Sequence, residues 1–194
     1  MITYGETTAL IVVDVQNDFA HPDGSLFVSG APRVMTSINE QADAAAAAGS
    51  LVVRTQDWHP ESTPHFAKDG GIWPVHCVAD SWGAEFHADC TATGPVVRKG
   101  TNGEDGYSGF TMRDPTSGDE IPTELGGMLT AHGIDTVVVV GLATDYCVLA
   151  TCLDAVRLGY ETIVVADGIA AVDLEPGDGA RAIATMVDAG VTVR

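Results

Sequence analysis

The residues best suited to chemistry in this sequence stand just after apolar, β-branched runs. They are Asp14, Asp57, His59, Lys99 and Cys147. Runs of this kind predict buried strands, and an open parallel sheet binds its ligands beyond the carboxyl ends of its strands. We therefore expect these side chains to meet at one edge of a sheet, where together they can build an active site.

Cys147 is the candidate nucleophile. It directly precedes a predicted helix, and a helix N-terminus with nearby cations favours the thiolate form of cysteine. Asp14 can take the thiol proton, while Lys99 can keep that carboxylate ionised and stabilise developing negative charge. Taken singly, Cys147 is equally well explained as a small buried hydrophobe, and Asp14 and Lys99 are better explained as a turn cap and a surface charge. Their shared place at strand ends favours catalysis. The other cysteines are predicted to be buried apolar residues: Cys77, Cys90 and Cys152.

A carboxylate and several imidazoles indicate a second site, for a metal ion. Its predicted ligands are Asp57, His59, His65 and His76. This set suits a borderline divalent ion such as zinc, manganese or iron, with other positions left for water or a ligand. The alternative, histidines scattered along a polar loop, is disfavoured because four of the six histidines lie between His59 and His87. The histidines left outside the predicted site are His21, His87 and His132.

The elements that must position these residues alternate between strands and helices. Strands are predicted at residues 9–13, 51–55, 95–98, 136–140, 162–166 and 191–193. Helices are predicted at residues 34–48, 123–132, 148–158 and 179–189, and each is followed directly by a glycine, the residue that favours a left-handed helix end. The strands are apolar without alternation, so both faces of the sheet must be covered. We predict an α/β fold in one domain, residues 1–194, with a doubly wound, largely parallel sheet of about six strands and helices on both faces.

Two long segments, residues 56–93 and 100–118, follow neither period. Long irregular segments in a compact domain are usually functional. We therefore expect these segments to build the walls of the site.

Composition limits the classes of partner. The chain has 194 residues with 27 acidic and 9 basic side chains, a formal net charge of −18. This charge excludes an electrostatic nucleic-acid binder and favours a neutral small substrate over a polyphosphate. No apolar run reaches the roughly 18 to 20 residues of a membrane span, and the cysteines show no disulfide framework. We predict a soluble, cytoplasmic protein without a nucleic-acid or membrane partner.

Seven segments in order resemble the isochorismatase-like cysteine hydrolases and, within them, the nicotinamidases or pyrazinamidases. The segments are residues 14–19 (DVQNDF), 56–60 (QDWHP), 65–66 (HF), 73–77 (WPVHC), 98–100 (RKG), 107–110 (YSGF) and 141–148 (GLATDYCV). The likeness spans nearly the whole chain. Residues 100–106, which are acidic rather than aromatic, depart from the family pattern and leave the shape of the pocket on that side open.

The resemblance implies roles for individual residues. It implies a triad of Asp14, Lys99 and Cys147, the same three that strand ends select, and an oxyanion hole formed by the backbone N–H groups of Ala143 and Cys147. A non-proline cis peptide is expected in the segment before Cys147. For the metal, it implies direct ligation by Asp57, His59 and His76, with His65 as the ligand that varies. The aromatic residues implied around a small, flat substrate are Phe19, Trp73 and Tyr107.

The activity that the resemblance implies is a metal-dependent cysteine amidohydrolase. It would convert nicotinamide to nicotinate and ammonia, and also cleave pyrazinamide, through a thioester intermediate in NAD salvage. The implied cofactor is one divalent metal ion. The resemblance leaves the oligomeric state open, and a homo-oligomer is one of the options. One alternative is a relative that hydrolyses another small amide or a vinyl ether. Another is a catalytically silent metal-binding or partner-binding scaffold, which would not need the triad.

Overall fold

The apolar runs of the sequence form a central sheet in a computed structural model, which describes residues 2–194. The strands are β1 (Thr8–Val13), β2 (Leu51–Asp57), β3 (Val96–Lys99), β4 (Thr111–Arg113), β5 (Glu120–Pro122), β6 (Thr136–Leu142), β7 (Glu161–Ala170) and β8 (Thr192–Val193). Six of them pair in parallel in the order β3-β2-β1-β6-β7-β8. The predicted parallel sheet of about six strands is confirmed. Met1, which the predicted domain includes, lies outside the described residues.

Helices cover the sheet on both sides. They are α1 (Asn17–Ala20), α2 (Ala31–Ala47), α3 (Leu125–Ala131), α4 (Leu149–Arg157) and α5 (Asp178–Asp188). Along β1, Leu10 and Val12 pack into the apolar cluster that includes α2, whereas Ile11 and Val13 pack into the cluster that includes α3, α4 and α5. Successive side chains of a strand point to opposite faces. This explains why the strand runs are apolar throughout, as the doubly wound arrangement requires.

The boundaries of several elements differ from the prediction. Helix α2 begins at Ala31, three residues before residue 34, with a proline in its first turn where no N–H is needed. Strand β7 continues to Ala170, past a register shift between Val139 and Gly141 of its neighbour. The four-residue helix α1 and the antiparallel pair β4 and β5 were not predicted. Elements of three or four residues are too short to show a period.

Two further predictions concern helix ends and membranes. The glycines placed after predicted helices all have positive φ: Gly49, Gly133, Gly159 and Gly190. Within residues 2–194 there is no helix with the length and apolar character needed to cross a membrane.

Candidate active site

The carboxyl ends of four neighbouring strands bring the predicted triad together. Lys99 is the last residue of β3 and Asp57 the last residue of β2, and the two are register partners. They lie within their strands, whereas the sequence predicted that they follow them. Asp14 follows β1 directly with a left-handed φ of 48°, and the segment with Cys147 follows β6, the other neighbour of β1. The order β3-β2-β1-β6 therefore places four chemically active side chains side by side.

The candidate triad is buried, and its charged groups are in contact. Lys99 Nζ lies 2.8 Å from Asp14 Oδ2 and 3.5 Å from Cys147 Sγ. Thr55 Oγ1 donates a hydrogen bond of 2.6 Å to Asp14 Oδ1, which fixes the carboxylate from the other side. Asp14 and Lys99 have side-chain exposures of 0% and 1%, so bulk water does not screen their ion pair.

Burial and neighbouring charges shift the pKa of each triad member. Burial raises the pKa of the Asp14 carboxyl, and the Lys99 ammonium opposes that shift only in part. Burial alone would lower the pKa of Lys99, but Asp14 and Asp57 raise it well above its usual value. Burial also raises the pKa of the Cys147 thiol well above its usual value; Lys99 lowers it, whereas Asp14 and Asp57 raise it further.

These shifts run against the expectation from the sequence that the surroundings of Cys147 favour its thiolate form. The side chain is buried beside one ammonium and two carboxylates, and both the burial and the carboxylates disfavour the thiolate. Moreover, Cys147 lies within a π-helical turn, Thr144–Val148, and the regular helix begins only at Leu149. A raised pKa at Asp14 makes its carboxylate a stronger base, which is the property needed to remove the thiol proton.

The segment between β6 and α4 has an unusual backbone. The peptide bond between Leu142 and Ala143 is cis, at the place that the family resemblance implied. The Ala143 N–H makes no hydrogen bond to any of residues 2–194, although its carbonyl accepts from Tyr146 and Val148. Just before the cis peptide bond, near the end of β6, Gly141 has a φ of 118°, and a Cβ there would lie 2.1 Å from the Val13 carbonyl oxygen, so this position needs glycine.

The predicted metal ligands lie together next to the triad. One ring nitrogen from each of His59, His65 and His76 lies within 4.8 Å of the others. Asp57 Oδ2 is 3.7 Å from His59 Nε2 and 3.9 Å from His76 Nε2, while its Oδ1 accepts a hydrogen bond from Lys99. Burial would raise the pKa of Asp57, but Lys99 holds it far below its usual value, so this carboxylate is ionised.

The chemistry of this cluster fits a divalent metal. Both ring nitrogens of His59 are buried without a hydrogen-bond partner among residues 2–194, an expensive arrangement unless a ligand satisfies it. His76 Nδ1 donates a hydrogen bond of 2.7 Å to the Pro74 carbonyl oxygen, which leaves Nε2 as the nitrogen with a lone pair. Burial lowers the pKa of His76 to about 4, so its ring is neutral, as a metal ligand must be.

A pocket connects the thiol with the histidines. Its space free of protein atoms is about 360 Å³, part of it open to solvent. All three predicted aromatic residues line the pocket, and Trp73 Nε1 donates a hydrogen bond of 3.0 Å to the Tyr107 hydroxyl. The lining residues are Phe19, Leu26, Asp57, His65, Trp73, His76, Tyr107, Leu142, Ala143, Tyr146, Cys147 and Val172. This wall is mainly apolar and aromatic, with the thiol and the metal-type ligands as its polar groups.

Sequence reasoning missed several residues of the site. Thr55 gave no signal because it lies inside a strand run, and Tyr146 was quoted only as part of a motif, yet its ring packs 4.8 Å from that of Trp73. Leu26 and Val172 come from loops that carry no pattern. Asp105 lies in the segment that departs from the family pattern, and its carboxylate accepts a hydrogen bond of 2.7 Å from His65 Nδ1.

The residues left outside the site lie elsewhere in the structure. The rings of His21 and His87 are 5.8 Å apart at the surface, and His132 Nδ1 lies 2.9 Å from the Met128 carbonyl at a helix end. No disulfide joins any of the four cysteines. Cys77 and Cys152 are buried as predicted, whereas Cys90 is only partly buried.

The fold and the site together define an α/β protein with a cysteine-hydrolase type of centre beside a metal-type ligand cluster. Residues 8–194 match the model of the isochorismatase domain family. A nicotinamidase of Escherichia coli strain K12 is 37% identical over 203 residues, covering 95% of this chain and 93% of that protein. The chain thus belongs to the isochorismatase family.

Solved structures show the same relationship. The crystal structure of a pyrazinamidase of Pyrococcus horikoshii in complex with zinc has a TM-score of 0.85 and 36% identity, covering 97% of this chain and 98% of that one. The crystal structure of PnC1 from L. infantum in complex with nicotinate has a TM-score of 0.88 and 36% identity, covering 100% of this chain and 95% of that one.

Proposed function

We propose that this chain hydrolyses nicotinamide to nicotinate and ammonia, and pyrazinamide in the same way. The observation that carries the proposal is one pocket lined by Cys147 and by three of the metal-type ligands, with aromatic walls for a flat ring. The three ligands are Asp57, His65 and His76. Relatives named nicotinamidase, and neighbours solved with zinc and with nicotinate, support the substrate and the metal. The nicotinate formed would enter NAD salvage.

The proposed cofactor is one divalent ion, zinc, manganese or iron. Asp57, His59 and His76 would hold it, with His65 as a further ligand. When bound, the ion supplies a Lewis-acid anchor for the pyridine nitrogen of the substrate. Phe19, Trp73 and Tyr107 are the residues that we assign to the walls around the ring.

The first half-reaction uses the buried triad. Asp14 removes the Cys147 proton as the sulfur attacks the carboxamide carbon, and Lys99 offsets the negative charge of the site. The Ala143 and Cys147 N–H groups donate to the oxyanion of the tetrahedral intermediate. The C–N bond then breaks, and Asp14 gives its proton to the departing ammonia. A thioester between Cys147 and the acyl group remains.

The second half-reaction reverses these proton movements. Asp14 takes a proton from a water molecule, whose oxygen attacks the thioester carbon. The C–S bond breaks, nicotinate leaves, and the sulfur regains the proton from Asp14. The net reaction consumes one amide and one water for each acid and ammonia produced.

The test is ammonia and nicotinate release from nicotinamide by the purified protein. Release should stop with a chelator and return with added zinc, manganese or iron. Cys147→Ala should lower turnover by about 10³-fold or more while zinc binding and the unfolding midpoint are kept. Cys152→Ala is the matched control, because Cys152 is a buried core residue of α4 that does not line the pocket, and its substitution should leave turnover largely unchanged.

Substantial residual turnover in Cys147→Ala would contradict the nucleophile. No release from nicotinamide by the metal-loaded protein would contradict the substrate and direct the search to other small amides, such as that of the maleamate amidohydrolase of Pseudomonas putida, which is 33% identical over 172 residues. A single domain over residues 1–194, the cytoplasmic location and any homo-oligomer stay predictions.

A further inference from the structure

Asp105 contacts the histidine cluster from outside. Its Oδ1 lies 2.7 Å from His65 Nδ1 and also accepts the Gly106 N–H at 2.9 Å. Its backbone is bonded to strand β4, because the Asp105 N–H donates a hydrogen bond of 2.9 Å to the Arg113 carbonyl oxygen. The carboxylate is thus anchored against the one ring, although 52% of the Asp105 side chain is exposed.

The hydrogen bond fixes which nitrogen of His65 is available. A neutral imidazole carries one proton, and when Nδ1–H donates to a carboxylate, the lone pair is on Nε2. His65 is buried and belongs to the cluster of three rings, with its ring stacked 5.0 Å from that of His59. Its orientation therefore presents Nε2 as the ligand nitrogen of the cluster.

The three rings differ in what holds them. His76 donates to the neutral carbonyl of Pro74, and His59 has no hydrogen-bond partner among the described residues but lies against Gly100. His65 is the one member of the cluster whose outer nitrogen meets a carboxylate. A carboxylate partner orients a ligating imidazole and raises its basicity more than a carbonyl can.

We propose that Asp105 is a positioning residue that makes His65 a metal ligand in this chain. The inference rests on the metal site of the proposed function. It assigns a role to the acidic segment of residues 100–106, which supplies the partner that orients the ring. Without the charge of Asp105, the His65 ring can rotate or change tautomer, and the site keeps Asp57, His59 and His76 alone.

The experiment measures zinc affinity by competition with a chromophoric chelator. Asp105→Asn keeps an acceptor but removes the charge, and Asp105→Ala removes both. We expect zinc affinity to fall by about 10-fold in the first variant and by up to about 100-fold in the second. The control is Asp119→Asn, which removes the same charge from an exposed residue whose side chain makes no hydrogen bond within residues 2–194, and it should leave the affinity unchanged.

A double-mutant cycle separates positioning from general charge. In a His65→Ala background, Asp105→Ala should cause no further loss of zinc affinity, because its effect passes through the missing ring. The visible absorption of bound Co²⁺, which reports the number of ligands, should change alike in Asp105→Ala and His65→Ala. Unfolding of each metal-free variant checks that the fold is kept.

Equal zinc affinity in Asp105→Ala and the unsubstituted chain would overturn the role of Asp105 while leaving the metal site in place. An equal loss in Asp119→Asn, or a further loss in the His65→Ala background, would show a charge effect and would also overturn it. If the unsubstituted chain did not bind zinc or Co²⁺, the metal site of the proposed function would fall, and the role of Asp105 with it.

Discussion

Asp57 accepts a hydrogen bond from Lys99 through Oδ1, while its Oδ2 faces the histidine cluster. One ionised carboxylate thus contributes both to the charge balance of the candidate triad and to the candidate metal ligands. The side chains of Asp57 and Lys99 are only 6% and 1% exposed. Removal of either charge would therefore leave the other one buried without its partner, at a high cost in free energy. The two halves of the site are therefore expected to respond together to a change at Asp57.

Asp57→Asn should disturb both halves. We expect zinc affinity to fall by more than about 100-fold, beyond the effect of losing an outer hydrogen-bond partner. Turnover at saturating zinc should also fall, because Lys99 loses one of its two carboxylates. The comparison is His59→Ala, which should weaken zinc binding but leave the Lys99 contacts intact. Zinc titration with steady-state kinetics separates the two effects, and normal zinc affinity in Asp57→Asn would contradict its assignment as a ligand.

The reactivity of Cys147 should depend on pH in a way that Asp14 controls. Burial and the neighbouring carboxylates raise the pKa of the thiol, so its alkylation by iodoacetamide should be slow at pH 7 and rise steadily toward pH 10. Asp14→Asn removes one negative neighbour and should lower that pKa. Alkylation at pH 7 should then be faster although turnover is lost.

Peptide mass spectrometry is the appropriate measurement, because it distinguishes Cys147 from the partly exposed Cys90. Alkylation of the unsubstituted protein that reached its maximum below pH 7 would argue for a resting thiolate and against this account.

Gly100 is expected to be required at the metal site. A Cβ on this residue would lie 2.6 Å from His59 Nδ1, and its φ is 81°. Gly118 has a similar φ of 75° with open space around its Cβ position, so it is the matched control. Both alanine variants should lose about 1 to 2 kcal/mol of folding stability, because alanine is strained in the left-handed backbone conformation. Zinc titration should show an affinity loss of about 10-fold or more in Gly100→Ala only, since a displaced ligand weakens the site; equal affinities would contradict the clash.

Asp145 should control substrate affinity through a wall of the pocket. Its carboxylate accepts the N–H groups of Val172 at 3.0 Å and Asp173 at 2.9 Å, and Val172 lines the pocket with Cys147. Asp145→Ala frees this segment and should cost about 1 to 3 kcal/mol of stability. We expect KM for nicotinamide to rise several-fold with a smaller change in kcat. Asp167→Asn, a charge loss at an exposed residue of β7, should change neither constant, and an unchanged KM in Asp145→Ala would remove its assigned role.

Strong local patterns predicted the larger elements and the main chemical groups. Buried parallel strands leave apolar runs in the sequence, and polar residues at the ends of these runs stand out, which is why the sequence alone predicts Asp14, Lys99 and Cys147 as site residues. The same reasoning found the histidine cluster from its density in one segment. Short elements such as β4 and β5 escaped because three residues carry no period.

What the sequence determined by itself was the kind of chemistry: a thiol, an amine, carboxylates and imidazoles at the ends of parallel strands, together with the fold that gathers them. Only the tertiary structure decided which charges surround Cys147 and which partners Asp57 and His65 have. A pKa depends on burial and on charges within a few ångströms. In this site such contacts join residues 40 or more positions apart in the chain. Sequence spacing does not encode such contacts, so the electrostatics of the site belong to the folded molecule.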